Sequence, residues 1–135
     1  MAAPSFKSLT PVLIVDAIEP CTEFWTTRLG FEKTSEVPGD DGKPLFAILQ
    51  KDGVEIMYQT KASVIKETPD QKDDLTGHST ALFFTVPSMA DLDAIEQAVK
   101  GAPMVKERHQ TFYGSTEFYV REPGGNVVGF AAFKP

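Results

Sequence analysis

The chain has 135 residues, of which 41% are hydrophobic, and a formal net charge of −6. This composition supports one domain with a sizeable core and excludes an intrinsically disordered protein. The acidic balance argues against binding to nucleic acid or to an anionic membrane surface. Cys21 is the only cysteine, so no intrachain disulfide can form. No apolar run is long enough for a membrane span and the first residues lack a signal-peptide core, so we expect a cytoplasmic protein.

The first half of the chain predicts the element order β-α-β-β-β. Short runs of apolar and β-branched residues alternate with turn-forming residues, as is typical of strands. The predicted strands are residues 9–15, 31–37, 45–50 and 54–59. Between the first two, apolar residues recur at helical spacing up to Gly30, which stands where a left-handed cap ends a helix. Asp52-Gly53 predicts a tight hairpin, because both residues tolerate positive φ.

A polar stretch then separates this half from a second one with the same pattern. The polar stretch is interpreted as a linker, in which 62–67 is compatible with a short helix. The second half predicts a strand, a helix and three more strands, at 81–86, 91–100, 104–108, 116–121 and 126–133. A repeat of about 70 residues is too long for a solenoid and indicates a duplicated module. We therefore predict one domain over 1–135, with modules at 5–60 and 80–135 and a linker at 61–79.

Three stretches carry a resemblance to a known family: 11–16 (PVLIVD), which runs into 23–31 (EFWTTRLGF), and 121–130 (REPGGNVVGF). They resemble the vicinal oxygen chelate superfamily, which includes glyoxalase I, extradiol dioxygenases, fosfomycin resistance enzymes and bleomycin resistance proteins. The resemblance implies an α+β fold in which two tandem βαβββ modules form a curled mixed sheet around a central cup. It also implies a homodimer. The chain looks most similar to the metal-free members that resemble bleomycin resistance proteins.

The resemblance also assigns the family's four metal-ligand positions. Metal-dependent members place His, Gln or Glu on the first and last strand of each module, and these side chains bind divalent cations through nitrogen or oxygen. In this chain these positions are Thr10, Glu55, Ala81 and Gly129. Only Glu55 can bind a cation strongly, which is too little for a tight site. We therefore expect no metal and no other cofactor.

The remaining reactive side chains have ordinary structural explanations. His78 precedes a predicted strand and His109 lies in or after another, so both are interpreted as structural or exposed. Trp25 and Cys21 share the apolar stripe of the first helix and are assigned to the core. The Cys21 thiol is expected to be inert, because the sequence places no activating base beside it.

Alternation along the strands predicts the side chains that line the cup, provided that the four family positions point inward. These side chains are mainly apolar, as in most small-ligand pockets. The predicted ligand-binding residues are Phe46, Glu55, Met57, Phe83, Phe112 and Tyr113. Two other interpretations stay open: the apolar residues fill a packed core, or a shift of one residue in register turns Glu55 to solvent. Phe112 and Tyr113 either close over a ligand or cap the core from a turn.

Three functions are compatible with this pattern. The leading hypothesis is metal-independent binding or sequestration of a small apolar or amphipathic molecule in the cup, as the resemblance to bleomycin resistance proteins implies. The alternative is a lyase, isomerase or dioxygenase that uses Glu55 as a general base or as part of a degenerate metal site. The third is an accessory interaction module whose cup is filled. The sequence does not identify the ligand.

Overall fold

The computed structural model describes residues 3–75 and 80–134. In the first half the predicted order of elements is found, with small changes at their ends. Its strands are β1 (Val12–Val15), β2 (Glu32–Pro38), β3 (Pro44–Lys51) and β4 (Val54–Thr60). Helix α1 (Glu19–Glu23) follows β1 and widens into a π-helical turn over Phe24–Arg28. Gly30, at a φ of 73°, has the left-handed conformation predicted for the end of this helix.

The region predicted as a linker contains regular structure. Helix α2 (Lys61–Glu67) begins there, and Thr60 caps it by accepting a hydrogen bond from the Ser63 backbone N–H. A 3₁₀ turn follows at Pro69–Asp74. His78 lies outside the described residues, and the division of the chain at 61–79 stays a prediction. The elements of the second half are β5 (Ala81–Val86), α3 (Met89–Ala98), β6 (Met104–Gln110), β7 (Ser115–Arg121) and β8 (Val127–Phe133).

The eight strands of the described residues form two four-stranded sheets of the same topology. The strand order is β1-β4-β3-β2 in the first sheet and β5-β8-β7-β6 in the second. In each, the first strand pairs in parallel with the last, and the other pairs are antiparallel. The predicted α+β fold of two tandem βαβββ modules is confirmed. Within the described ranges, no helix has the length and apolar character needed to cross a membrane.

The two sheets share one hydrophobic core on the faces that the helices cover. In the first sheet, buried residues alternate along β3 and β4, so one face is packed. In the second sheet, most residues of β7 and β8 are buried on both faces. The largest fully buried side chains include Trp25, Tyr58 of β4 and Phe118 of β7. The centroid of the Trp25 ring lies 5.0 Å from that of Phe31 and 5.6 Å from that of Phe84 on β5, which joins the two halves. The assignment of Trp25 to the core is confirmed.

A buried chain of hydrogen bonds also joins the halves. Trp25 Nε1 donates to the Tyr58 hydroxyl at 2.8 Å, and that hydroxyl donates to Glu122 Oε2 at 2.6 Å. Glu122 Oε1 accepts from the Asn126 backbone N–H at 2.6 Å and from its side-chain amide at 3.1 Å. Burial, and then the charge of Glu122, raise the pKa of the Tyr58 hydroxyl and of the nearby Cys21 thiol. Both groups therefore stay protonated, and Cys21 is the buried, inert thiol that the sequence predicted.

The opposite faces of the two sheets, which we call the outer faces, are open. On the second sheet, Phe83 of β5 is 49% exposed, whereas its neighbour Phe84 packs against the core. The enclosed cup implied by the resemblance is therefore not formed within one chain. Because successive residues such as Phe83 and Phe84 are both apolar, either face could have been packed. The helices decide the outcome, since the π-helical turn after α1 supplies Trp25 and α3 supplies Leu92 to one face only.

Candidate functional site

The outer face of the first sheet carries Glu55 and the residues predicted around it. Val12 lies beside Met57 in the parallel pair of β1 and β4, which brings Thr10 close to Glu55. Thr10 Oγ1 donates a hydrogen bond to Glu55 Oε1 at 3.0 Å, and the side-chain amide of Gln50 donates to Oε2. Glu55 is partly buried. It is therefore a hydrogen-bonded carboxylate at the edge of an open surface.

Two of the predicted ligand-binding residues lie on the same outer face as Glu55. Met57 follows Glu55 by two residues on β4, and Phe46 lies on the neighbouring strand β3, beside Gln59 in the antiparallel register. Both side chains are partly buried. The structure thus brings Phe46, Glu55 and Met57 together on one face, which combines an apolar surface with one carboxylate.

The four family positions do not supply the ligands of a metal ion. Thr10 and Glu55 are adjacent, but they provide one hydroxyl and one carboxylate. Ala81 and Gly129 lie on the other sheet, and neither side chain has a donor atom. A Cβ built at Gly129 would overlap the ring of Tyr119, so this position is covered by an aromatic side chain. In the part of the chain that the structure describes, no group of three His, Cys, Asp or Glu side chains could hold a metal ion.

The outer face of the second sheet holds an aromatic cluster. The ring of Phe83 lies 6.4 Å from that of Tyr119 on β7, and the ring of Tyr113 lies 6.3 Å from that of Phe133 on β8, measured between centroids. Tyr113 is 49% and Phe133 is 44% exposed. Phe112, next to Tyr113, is fully exposed. These residues contact each other outside the common core, so Phe112 and Tyr113 do not cap that core.

Glu117 lies at the centre of this aromatic cluster and was missed by the sequence analysis. Its side chain is only 2% exposed. Three hydroxyl groups donate hydrogen bonds to its carboxylate: Tyr113 at 2.7 Å, Ser115 at 2.9 Å and Tyr119 at 3.0 Å. Nε2 of His109, on β6, lies 3.8 Å from the same carboxylate. The result is a buried carboxylate with its acceptor sites largely satisfied, inside a half-exposed aromatic surface.

The charge state of this cluster follows from its hydrogen bonds. Burial alone would raise the pKa of Glu117, but the hydrogen bonds from Tyr113, Ser115 and Tyr119 outweigh it and lower that pKa. Burial and the bond to Glu117 raise the pKa of Tyr119 to about 12. The bond to Glu117 also raises the pKa of Tyr113. At neutral pH the cluster is therefore a carboxylate anion held by protonated hydroxyls.

A signal for Glu117 was present in the sequence. Ser115, Glu117 and Tyr119 alternate along β7 with residues of the core, such as Phe118. A period of two places these polar side chains together on the face away from the core. The strand was predicted, but the predicted lining of the cup included no residue of β7. The contribution of Tyr113 depends on the turn before β7, where Gly114 has a φ of 92°.

We expect Glu117→Gln to remove an acid-sensitive part of the stability. The folded-state pKa of Glu117 lies below the ordinary value of 4.5. The anion therefore contributes its full stabilisation above that value, and the contribution disappears as pH falls through the depressed pKa. Near neutral pH the variant should lose about 1–3 kcal/mol of unfolding free energy. Urea unfolding between about pH 3 and pH 7 measures this difference, which should shrink towards the acid end.

Glu107→Gln on the exposed face of β6 is the matched control, and it should leave the pH dependence of stability unchanged. A constant difference between Glu117→Gln and the unmodified protein across the whole pH range would contradict the assignment of a depressed pKa.

Comparison with known proteins places the chain in a family. A model of the Glyoxalase/Bleomycin resistance protein/Dioxygenase superfamily matches residues 7–130. The chain belongs to this superfamily, also known as the vicinal oxygen chelate superfamily, as the sequence resemblance implied. A search of curated proteins finds no match.

Solved structures with the same fold cover nearly the whole chain. A glyoxalase/bleomycin resistance protein/dioxygenase family enzyme from Burkholderia phytofirmans PsJN is 17% identical with a TM-score of 0.75, covering 93% of this chain and 97% of that one. The lactoylglutathione lyase of Agrobacterium tumefaciens is 16% identical with a TM-score of 0.73, covering 97% and 100%. TioX from Micromonospora sp. ML1 is 17% identical with a TM-score of 0.73, covering 96% and 100%. At these identities the likeness establishes the fold alone.

Proposed function

We propose that this protein binds or sequesters a small apolar or amphipathic molecule, without a metal ion, between the outer faces of its sheets. The observation that carries the proposal is the aromatic cluster around Glu117. Phe83, Tyr113 and Phe133 are each left about half exposed around a buried anion. An apolar surface with a few placed polar groups is the usual composition of a ligand site.

The ligand class follows from the charges on the outer faces. Glu117 and Glu55 each place a hydrogen-bonded carboxylate within an apolar surface. The net charge of the chain is also negative. A neutral or cationic molecule with an aromatic or aliphatic body therefore suits the site better than an anion. The rings of Phe83 and Tyr113 supply contact area at low entropic cost.

A second copy of the chain is the proposed closure of the site. Within one chain the outer faces of the two sheets are separate and open. In a homodimer with two-fold symmetry, the first sheet of one copy would cover the second sheet of its partner, and the reverse contact would form at the same time. Phe46, Glu55 and Met57 of one copy would then face Phe83 and Tyr113 of the other. The homodimer that the family resemblance implies would in this way bring these five predicted binding residues to one site.

The test uses Phe83→Glu, which places a charge on the half-exposed surface of the aromatic cluster. We expect the unmodified protein to have the solution mass of a dimer, and the variant that of a folded monomer. In a thermal-shift panel of neutral and cationic aromatic compounds with chelator present, the unmodified protein should be stabilised by at least one compound. A ligand at a hundredfold excess over its Kd raises the free energy of unfolding by about 2.7 kcal/mol. The variant should lose this stabilisation.

Met89→Glu is the matched control, because Met89 is similarly exposed, at 44%, but lies on helix α3 away from the outer faces. It should keep both the dimer and the response to the compound. A monomeric unmodified protein, or a panel without any stabilising compound, would count against the proposal.

The same panel separates binding from an enzymatic function. Stabilisation that appears only when a divalent metal ion is added, and is lost with chelator, would favour a lyase, isomerase or dioxygenase with Glu55 at a degenerate metal site. The donor atoms at Thr10, Glu55, Ala81 and Gly129 support the metal-independent alternative. The cytoplasmic location stays a prediction from the sequence.

A further inference from the structure

A cavity lies between the two halves, on the side of the helices and away from the outer faces. It has a volume of about 280 Å³. The first half contributes Leu29, Phe31 and Val54 to its lining, and the second half contributes Phe84, Val86 and Ile95. Most of these side chains pack only partly against the core. The cavity is therefore a gap in the contact between the modules.

The lining of this cavity is largely apolar, and Thr85 contributes an exposed hydroxyl-bearing side chain to it. Trp25 forms part of the lining, but its indole N–H already donates to the Tyr58 hydroxyl. At the rim, the ammonium group of Lys51 lies 3.7 Å from the Asp52 carboxylate, so the two charges compensate each other. Neither an anion nor a cation would find an uncompensated partner there.

We infer that this cavity is a second small-molecule site, for a neutral aromatic or alicyclic compound of one or two rings. An enclosed apolar cavity of about 150 Å³ in a protein binds benzene. The cavity in this chain is larger and has aromatic walls on both sides, from Phe31 and Phe84. An occupant would contact both halves and strengthen their association. This inference does not depend on the proposed function, because its aromatic walls, Phe31 and Phe84, pack on the core side and only Thr85 of the lining alternates with Phe84 towards the outer face.

The test uses Trp25, the only tryptophan of the chain, as a reporter within the cavity. Iodobenzene is the probe, because it is neutral and its heavy atom quenches indole fluorescence at contact. We expect saturable quenching in which Trp25 loses most of its emission. Val54→Phe, at the partly exposed edge of the lining, should fill the cavity and abolish the saturable phase. Val37→Phe is the matched control, with a similarly exposed valine on β2 outside the cavity, and should keep it.

A second measurement on the unmodified protein keeps the test decisive if Val54→Phe does not fold. Cyclohexanol, which does not quench, should displace iodobenzene and restore the emission. Phe83→Glu should leave the quenching unchanged, which separates this site from the outer faces. Quenching that rises linearly without saturation, equally in all variants, would be collisional and would overturn the inference. Quenching whose extent changes with protein concentration would also overturn the inference, because it would mean that a second copy of the chain covers the cavity.

Discussion

Replacing Glu122 by alanine is expected to lower the free energy of unfolding by about 3–5 kcal/mol. Three buried donors lose their acceptor in this variant: the Tyr58 hydroxyl, and the backbone and side-chain amides of Asn126. Each unsatisfied buried donor costs about 1–3 kcal/mol. Because Tyr58 lies on β4 of the first sheet and Glu122 lies in the turn that follows β7 of the second, the loss falls on a contact between the two halves. Urea unfolding followed by circular dichroism measures the change.

Two further variants make this expectation specific. Tyr58→Phe keeps the ring but removes the hydroxyl that links Trp25 to Glu122, so it should lose about 1–3 kcal/mol. Glu107→Ala removes an exposed carboxylate from β6 and should stay within about 0.5 kcal/mol of the unmodified protein. If Glu122→Ala were as stable as Glu107→Ala, the network would not be what joins the sheets.

Replacing Gly129 by alanine is expected to damage both the stability and the Glu117 cluster. The added Cβ would overlap the ring of Tyr119, which must then move away from β8. Such overpacking lowers the free energy of unfolding by about 1–3 kcal/mol. Displacement of the ring also breaks the hydrogen bond from the Tyr119 hydroxyl to Glu117. In Gly129→Ala, both the ligand-induced stabilisation and the free energy of unfolding should therefore decrease.

A double-mutant cycle separates this clash from other effects of the added methyl group. Tyr119→Ala removes the ring, so Gly129→Ala in that background should cost less by about 0.5–3 kcal/mol than it does alone. Gly39→Ala is the control for replacing a glycine as such, since a Cβ there meets its nearest atoms at 3.4 Å. Additive losses from Gly129→Ala and Tyr119→Ala would show that the ring and the methyl group do not collide.

Much of the local structure could be predicted because it depends on neighbouring residues. The Asp52-Gly53 hairpin is found with φ angles of 51° and 78°, as residues tolerant of positive φ predict. The strand β5 was predicted with its observed ends. The family resemblance assigned Thr10 and Glu55 to two positions of one site in the first module, and the structure joins them by a hydrogen bond.

The long-range contacts of the core could not be predicted, and the functional surface could be predicted only in part. The Tyr58–Glu122 bond spans 64 residues, and no local pattern relates the two positions. The carboxylate of Glu117 lay on a predicted strand, but the ring of hydroxyls around it depends on the turn that brings Tyr113 back over β7.

The amino-acid sequence by itself determined the order of the strands and helices and the division of each strand into two faces, because periodicity and turn chemistry act over a few residues. The tertiary structure decided which face of each sheet became the common core. Both faces carry apolar side chains, as Phe83 and Phe84 show, so burial of one or the other has a similar hydrophobic gain. Only the docking of Trp25 and its hydrogen-bonded partners across the two halves selects one face and leaves the other open for binding.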